Sequence, residues 1–542
     1  MSDEAFDYIV VGAGSAGCVL ADKLSADGRH SVLVLEAGGS DRRLWVQVPI
    51  GYGNTFYDPA VNWKFEAQPE PGMKDRRIYF PRGKVLGGSS SINAMVYCRG
   101  LPGDFDDWAA TGNAGWSWAD VRPVFEEFEQ PVDPAGRPTG EGNGPLYVSD
   151  VRHQLHALER SYFAGAGEAG LPFTDDFNGP QPEGVGRYRI NTRRGLRWSA
   201  ADAFLRPALR RPTVQLRSRA LVQRVLFEGR RATGITYLKD GQSRHASARR
   251  AVVLSAGAVQ SPQLLQVSGV GPGALLQQHG IAVVLDQPQV GRNLQDHLAM
   301  SYSFESRLPT LNNRLGSLWG RLWMGMQFVF GRRGPLSISV NQCGGFVRSA
   351  PDLPRADLQL YCNPITYQLK PGATGTRIVP DPFAGFILCF QPTRPQSRGE
   401  IRIAGPDMAA PPQIRPRYLS HPDDIAVAVR GAQLIRRLER SPALQAVIKA
   451  PVGPALAGMD DAAMAEDFRS RASTCYHPVG TCTMGPDPAT SVVDPRLKVH
   501  GLDGLYVVDA SVFPTVTSGN THAPTTMVAH KGAAAILAAT GH

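Results

Sequence analysis

A chain of 542 residues and 58.5 kDa is too long for a peptide, a disulfide miniprotein or a small binding module, and long enough to bury roughly 75% of its unfolded surface without metal or disulfide staples. Its 57 Lys and Arg against 48 Asp and Glu leave a formal charge of +9, carried by scattered pairs such as Arg42-Arg43 and Arg332-Arg333 rather than a basic stripe, so no nucleic-acid partner is expected. The 7 cysteines, at 18, 98, 343, 362, 389, 475 and 482, form no CxxC pair and no zinc spacing, and read as reduced, buried thiols of a reducing compartment with no metal.

Met1 to Phe6 is acidic and runs straight into a strand, which leaves no room for a signal peptide, and the longest charge-free stretches are too rich in Gln, Gly and Pro to span a bilayer. The expectation is a soluble, cytoplasmic protein, with weak peripheral contact at the inner membrane left open. Asp7 to Val11 is a short β-branched run, hence a buried strand of a parallel sheet. It feeds Gly12-Ala-Gly14-Ser15-Ala16-Gly17, a helix through Leu24, and a second buried strand from Ser31 to Leu35 that ends at Glu36. The glycines serve a tight turn, close approach of backbone to a pyrophosphate, and helix–sheet contact, while the helix offers unpaired N–H groups to phosphate. Glu36, 19 residues past Gly17, is placed to accept from ribose hydroxyls. This βαβ unit predicts a dinucleotide site but does not by itself separate NAD from FAD.

Residues 80–100 are Gly/Ser-rich. Residues 213–257 read as a meander-like set of strands at Thr213–Leu216, Ala220–Phe227, Ala232–Tyr237 and Ala251–Ser255, the last turning through Ala256-Gly257 into a helix that reaches Leu265. Residues 301–469 lack glycine signatures and read as a separate α+β region with an antiparallel sheet, its strands at 357–363, 385–391 and 399–404. Within it, Trp319 to Arg333 is apolar with basic flanks: a buried helix, a substrate lid, or a surface that touches membrane, with packing or a lid favoured.

Near the C-terminus, Cys475-Tyr-His477-Pro-Val-Gly-Thr-Cys-Thr-Met-Gly485 puts a histidine in a rigid, glycine-punctuated loop. Leu505 to Val508 returns to the buried-strand style and ends at Asp509. The polar run through Asn520, Thr521, His522 and Thr525 precedes and opens a helix from Pro524 to about Ala539, whose positive end faces whatever lies before it. An unperturbed imidazole, with a pKa near 6.5, is a competent base near neutrality. His522 either lines a ligand through its backbone or closes the helix start. The remaining histidines, His297 among them, are expected on the surface or in packing.

The N-terminal fingerprint, Gly87-Gly-Ser-Ser-Ser91-Ile92-Asn93-Ala94, the Ser255–Leu265 run, His477-Pro-Val-Gly-Thr and Gly519-Asn-Thr-His-Ala-Pro-Thr525 together resemble the glucose–methanol–choline (GMC) family of FAD oxidoreductases, closest to its choline-dehydrogenase-like alcohol dehydrogenase and oxidase branch. The resemblance runs from residue 7 to about 538, in the family's order. It implies an α/β fold, with a Rossmann-like FAD-binding domain made of residues 1–155, 213–300 and 471–542, a mixed segment at 156–212, and an α+β substrate domain at 301–470 built on an antiparallel sheet covered by helices. It implies that His477 takes the hydroxyl proton of an alcohol as the α-hydrogen leaves as hydride to flavin N5, and that Asn520 hydrogen-bonds the alcohol oxygen. It places Asn93, Ala94, Met95 and Val96 against the isoalloxazine, Val222 against adenine, and Asp509-Ala510 against the pyrophosphate and ribityl chain. Gly12, Gly14, Ser15, Ala16, Gly17, Glu36, Ala37, Arg82, Val85, Gly87, Ser91, Ala256, Thr521, His522 and Thr525 complete the implied FAD site. Members with covalent flavin carry a histidine where this chain has Ile92, so non-covalent FAD is expected. The implied reaction is oxidation of a primary alcohol, aromatic or medium-chain aliphatic, to the aldehyde, with electrons passed to O2 or a quinone-type acceptor. Choline oxidation proper and a hydroxynitrile-lyase-type, non-redox use of the same site stand as alternatives.

Overall fold

The computed structural model describes residues 4–140, 142–372 and 375–540. Glu4–Val11 and Val32–Glu36 pair in parallel, joined by the helix Ser15–Leu24, because Tyr8–Val11 and Val32–Leu35 are continuous buried apolar runs with no polar face. The strand Gln242–Leu254 pairs in parallel with the other side of Glu4–Val11, and Leu505–Val507 adds beyond it. The chain thus reverses its direction of strand addition beside Glu4–Val11, and in such sheets ligands bind off the carboxyl ends at this reversal.

The predicted meander is two structures. Val214–Ser218 joins the parallel edge beside Val32–Glu36, while Ala220–Glu228 and Arg231–Lys239 form an antiparallel ribbon with the first half of Gln242–Leu254. Alternation alone carries no strand direction, so the sequence could not separate them. Gln242–Leu254 is also longer than expected, since its N-terminal half serves the ribbon and its C-terminal half the parallel sheet.

A second sheet is wholly antiparallel, in the order Ile448–Val452, Leu298–Ser306, Gly385–Pro392, Leu358–Asn363, Cys343–Val347, Gly184–Arg187. Gly399–Arg402 is not part of it and pairs instead with Arg292–Leu294 and Gln413–Arg415. All residues of Gly385–Pro392 are buried, so this strand has no exposed face. Both faces are covered: Leu388 and Phe390 share a core with Ile435 and Leu438 of the helix Pro422–Glu439, and Ile387 and Cys389 face an internal cavity. Gly431 of that helix has no room for a Cβ, which would fall 2.3 Å from the Phe390 ring.

The apolar run after residue 318 forms the helix Leu318–Gly331 but is not buried. Only Met324 and Phe328 turn inward, and Trp319 and Phe330 are 80% and 87% exposed. No helix among the described residues is long and apolar enough to cross a membrane.

Candidate active site

One cavity of about 1290 Å³ lies between the two sheets. Four strand ends of the parallel sheet open into it, at Gly12, Glu36, Ser255 and Asp509, and its far end is walled by Tyr361, Ile387 and Cys389 of the antiparallel sheet and by the His477 loop.

At the parallel-sheet end the glycines act through space as much as through torsion. Gly12 has φ +98°, and a Cβ on Gly17 would lie 1.8 Å from the Gly12 carbonyl oxygen, so helix and strand meet backbone to backbone. Gly88 presses on Gly14 in the same way, with 2.7 Å from its notional Cβ to the Gly14 Cα. The helix Ser15–Leu24 has no side-chain cap, so its first N–H groups at Ser15 and Ala16 border the cavity unpaired. The Glu36 carboxylate accepts from the N–H groups of Ala13 (2.9 Å) and Gly38 (2.7 Å), and burial pushes its pKa up to about 7. Asp509 spends its carboxylate on protein donors, namely the N–H groups of Gly257 and Ser511 (2.8 Å each) and the Ser261 hydroxyl (2.6 Å).

Among the expected FAD residues, Gly12, Gly14, Ser15, Ala16, Glu36, Ala37, Arg82, Asn93, Ala94, Met95, Val96, Val222, Ala256, Asp509, Ala510, Thr521, His522 and Thr525 all border this cavity. Gly17, Val85, Gly87 and Ser91 stand one layer behind it. Gly87 N–H donates to the Ala13 carbonyl, the Ser91 hydroxyl donates to the Leu86 carbonyl (2.6 Å), and Val85 packs with Val46, Val61 and Ile92. The loop around Asn93 is held by a residue that sequence reading missed. Buried Arg197 donates to the carbonyls of Val46, Ser90 and Asn93 and to Asn93 Oδ1 (2.7 Å), and burial lowers its pKa to about 9. Only the tertiary fold brings it 104 residues along the chain to Asn93.

His522 resolves into both alternatives: its Nδ1 meets the Ser15 hydroxyl at 2.9 Å, tying the last helix to the start of the first, and its ring borders the cavity with Nε2 unpartnered among the described residues. Asn520 Oδ1 is likewise buried without a partner. An uncapped helix N-terminus, an open cradle at Gly14 and unsatisfied polar atoms converging on one cavity fit a dinucleotide cofactor with a polar ring system.

At the far end, His477 Nε2 lies 3.2 Å from the Asn520 amide nitrogen, and its Nδ1 lies 3.0 Å from Nδ1 of His297. The expectation that His297 is a packing histidine is therefore corrected: it is fully buried at the site. His297 Nε2 meets the Thr393 carbonyl at 2.9 Å, and a carbonyl only accepts, so Nε2 carries hydrogen. Burial holds the His297 pKa down to about 4, so the ring is neutral and its Nδ1 is a bare acceptor. His477 Nδ1 must then donate. Burial, with the neighbouring His297 and Arg82, also holds His477 well below its ordinary pKa, so its Nε2 is a free lone pair on the cavity side, met by the Asn520 N–H.

The loop is braced by Asp296. Its Oδ1 accepts from the backbone N–H of His477 (2.7 Å) and of His297 (2.9 Å), and its Oδ2 from the hydroxyls of Tyr418 (2.6 Å) and Thr474. Tyr476 is held at φ +69°, which aims the next residue inward, and Arg82 donates to its carbonyl at 2.5 Å. The assembly can accept a proton from a hydroxyl and hold the resulting oxyanion with an amide N–H.

Family models described as GMC oxidoreductase match residues 6–299 and 395–529. A protein named alcohol dehydrogenase (acceptor) from Pseudomonas putida is 40% identical over 540 residues, which cover 98% of this chain and 96% of that one. An oxygen-dependent choline dehydrogenase from Photobacterium profundum is 39% identical, covering 98% and 93%. The crystal structure of pyridoxine 4-oxidase from Mesorbium loti superposes with a TM-score of 0.85 at 29% identity, covering 98% of each chain.

Proposed function

The chain belongs to the GMC oxidoreductase family, as an oxidoreductase acting on the CH–OH of an alcohol, and on that premise we propose that it oxidises a neutral, apolar primary alcohol to the aldehyde with His477 as base, Asn520 as oxygen-side donor and FAD held non-covalently. The single observation that carries this reading is the fixed tautomer of His477, whose bare Nε2 faces the cavity beside the Asn520 amide. The alcohol hydroxyl takes the place of the amide hydrogen on Nε2 and gives up its proton there, and Asn520 then donates to the oxygen. A positioned base of this kind contributes about 10²–10⁴ in rate. FAD, when bound, supplies the two-electron acceptor. The uncapped helix at Ser15, Glu36 and the His522 ring are the groups that hold it, and Ile92, an aliphatic side chain packed on Val46 and Val61, offers it no nucleophile.

Substrate class follows from charge. The carboxylates bordering the cavity are Glu36 and Asp509, both at the parallel-sheet end, whereas Arg76, Arg77, Arg82, Arg321 and Arg471 border the remainder. A quaternary cation such as choline would meet positive charge and no counter-ion; Tyr361, Ile387 and Cys389 suit an aryl or alkyl group. We assign residues 301–470 to the substrate half and 1–155, 213–300 and 471–542 to the cofactor half, with 156–212 shared, because the two sheets wall opposite ends of the cavity.

A panel of primary alcohols, assayed side by side with O2 and with an artificial quinone-type acceptor, tests the reading and assigns the acceptor. Anaerobic bleaching of the flavin's visible band by an alcohol is expected. An unchanged spectrum with cyanohydrin cleavage would replace oxidation with lyase chemistry, and preference for choline over benzyl or medium-chain alcohols would overturn the substrate class.

A further inference from the structure

The helix Leu318–Gly331 carries apolar side chains on its outward face as well as its inward one. At about 100° per residue, Trp319, Leu322, Trp323, Met326, Val329 and Phe330 fall within one arc of about 120°, and all six are between 47% and 87% exposed. The inward residues are Met324 and Phe328. Six exposed apolar side chains on one arc, three of them aromatic, mark a docking surface.

Its charge setting is one-sided. From residue 306 to 351 the chain holds arginines at 307, 314, 321, 332, 333 and 348 and no Asp or Glu, and the adjoining hairpin Tyr367–Gly372/Gly375–Pro380 adds Lys370 and Arg377, again without an acid. Arg314, Arg321, Arg332, Arg333, Lys370 and Arg377 make no ion pair among the described residues. A symmetric contact with a second copy would set these cations against their equals. An anionic bilayer supplies both missing partners, acyl chains for the aromatic face and phosphate for the arginines. At 14 residues, or about 21 Å, the helix is too short to cross a bilayer and long enough to lie in its interface.

The same elements border the cavity. Leu315, Arg321, Met324 and Leu336 line it from the helical side, and Leu369 and Ile378 from the hairpin. We propose that the helix Leu318–Gly331 docks this protein on an anionic lipid surface and opens its cavity toward the acyl region, so that a lipophilic alcohol reaches the site from the membrane. The second clause rests on the alcohol-oxidising reading above; the first does not.

FAD-loaded, full-length protein is sedimented, without alcohol, with vesicles of phosphatidylcholine alone or mixed with phosphatidylglycerol. Binding at least about 10-fold stronger to the anionic vesicles is expected, weakened by salt. The triple variant Trp319→Ser/Trp323→Ser/Phe330→Ser should lose about 10-fold or more of that binding and keep wild-type turnover of a short, water-soluble alcohol, since none of the three borders the cavity. Arg332→Gln/Arg333→Gln should erase most of the preference for anionic vesicles. A vesicle-borne long-chain alcohol should lose turnover in the triple variant while the soluble one does not. Equal sedimentation of wild type and triple variant, no sedimentation at all, or a wild-type dimer that the triple variant dissociates would each overturn the proposal. Binding without any alcohol oxidation would leave docking standing and sink the proposed reaction instead.

Discussion

Replacing His297 by alanine removes no group that touches a substrate, yet it should slow the chemical step by about 10- to 100-fold. In the wild type the Nδ1–H tautomer of His477 makes a bond to His297 Nδ1 at 3.0 Å, while the opposite tautomer would set two lone pairs against each other. A lost hydrogen bond at a buried site costs about 1–3 kcal/mol, so the wrong tautomer is held to between about 1% and 15%. In the alanine variant the Asn520 amide bonds Nε2 in either tautomer, by its N–H or, flipped, by its Oδ1, but nothing accepts at Nδ1, so the base-competent form alone carries a buried unsatisfied N–H costing about 1–3 kcal/mol. The base-competent fraction then falls to between about 1% and 15%. The assay is the anaerobic single-turnover rate at saturating alcohol, with ring-nitrogen NMR shifts of His477 reporting the tautomer directly. His297→Gln can present a carbonyl to Nδ1 and should recover most of the loss. The Thr393 carbonyl also loses its donor, so FAD content and melting temperature are measured alongside. A fully flavinylated His297→Ala protein that reacts within about twofold of wild type would refute the tautomer mechanism.

Because burial depresses the His477 pKa, the neutral base persists below the usual imidazole range: kcat/KM should stay flat as pH falls through about 6.5 and drop only as the depressed pKa is reached, and a limb centred at 6.5 or above would contradict this. Asn520→Asp sets a carboxylate 3.2 Å from Nε2, which favours imidazolium, so the acidic limb should move to higher pH and the rate at neutrality should fall about 100-fold or more, read from pH profiles of the reductive step. Glu36→Gln replaces one acceptor oxygen with a donor facing a backbone N–H of Ala13 or Gly38, and the lost bond, about 1–3 kcal/mol, predicts an FAD dissociation constant about 5- to 150-fold larger in the variant, measured by flavin fluorescence. Gly88→Ala drives a Cβ to 2.7 Å from the Gly14 Cα at φ +54°, so the purified variant should be colourless or readily lose its flavin while its secondary structure by circular dichroism is retained.

The first βαβ unit was legible because its signals are local: a strand, three glycines with separate steric duties, and an acid at the next strand's end are all fixed by neighbours within 36 residues of the N-terminus. His477 and Asn520 were legible for another reason, since each sits in a distinctive run of the chain, and the structure sets them 3.2 Å apart although 43 residues separate them. Periodicity fixed element type well and element partners poorly: Val214–Ser218 and Gly399–Arg402 differ from expectation because pairing direction and partner are properties of what lies alongside. His297 and Arg197 gave no usable sign at all. A histidine before a strand and an arginine in a basic run acquire their roles from carbonyls at Thr393, Val46, Ser90 and Asn93, which lie between 96 and 151 residues away or were unremarkable in themselves.

The linear order of residues therefore determined the oxidoreductase family to which the chain belongs, because the glycine fingerprint and the runs around His477 and Asn520 are short and recognisable. Tertiary structure alone decided which nitrogen of His477 is left as an acceptor on the cavity side, that the bordering acids sit at the parallel-sheet end, and that an apolar helix faces outward. Each of these depends on what fills the space next to a group, and that neighbour arrives from a distant part of the chain.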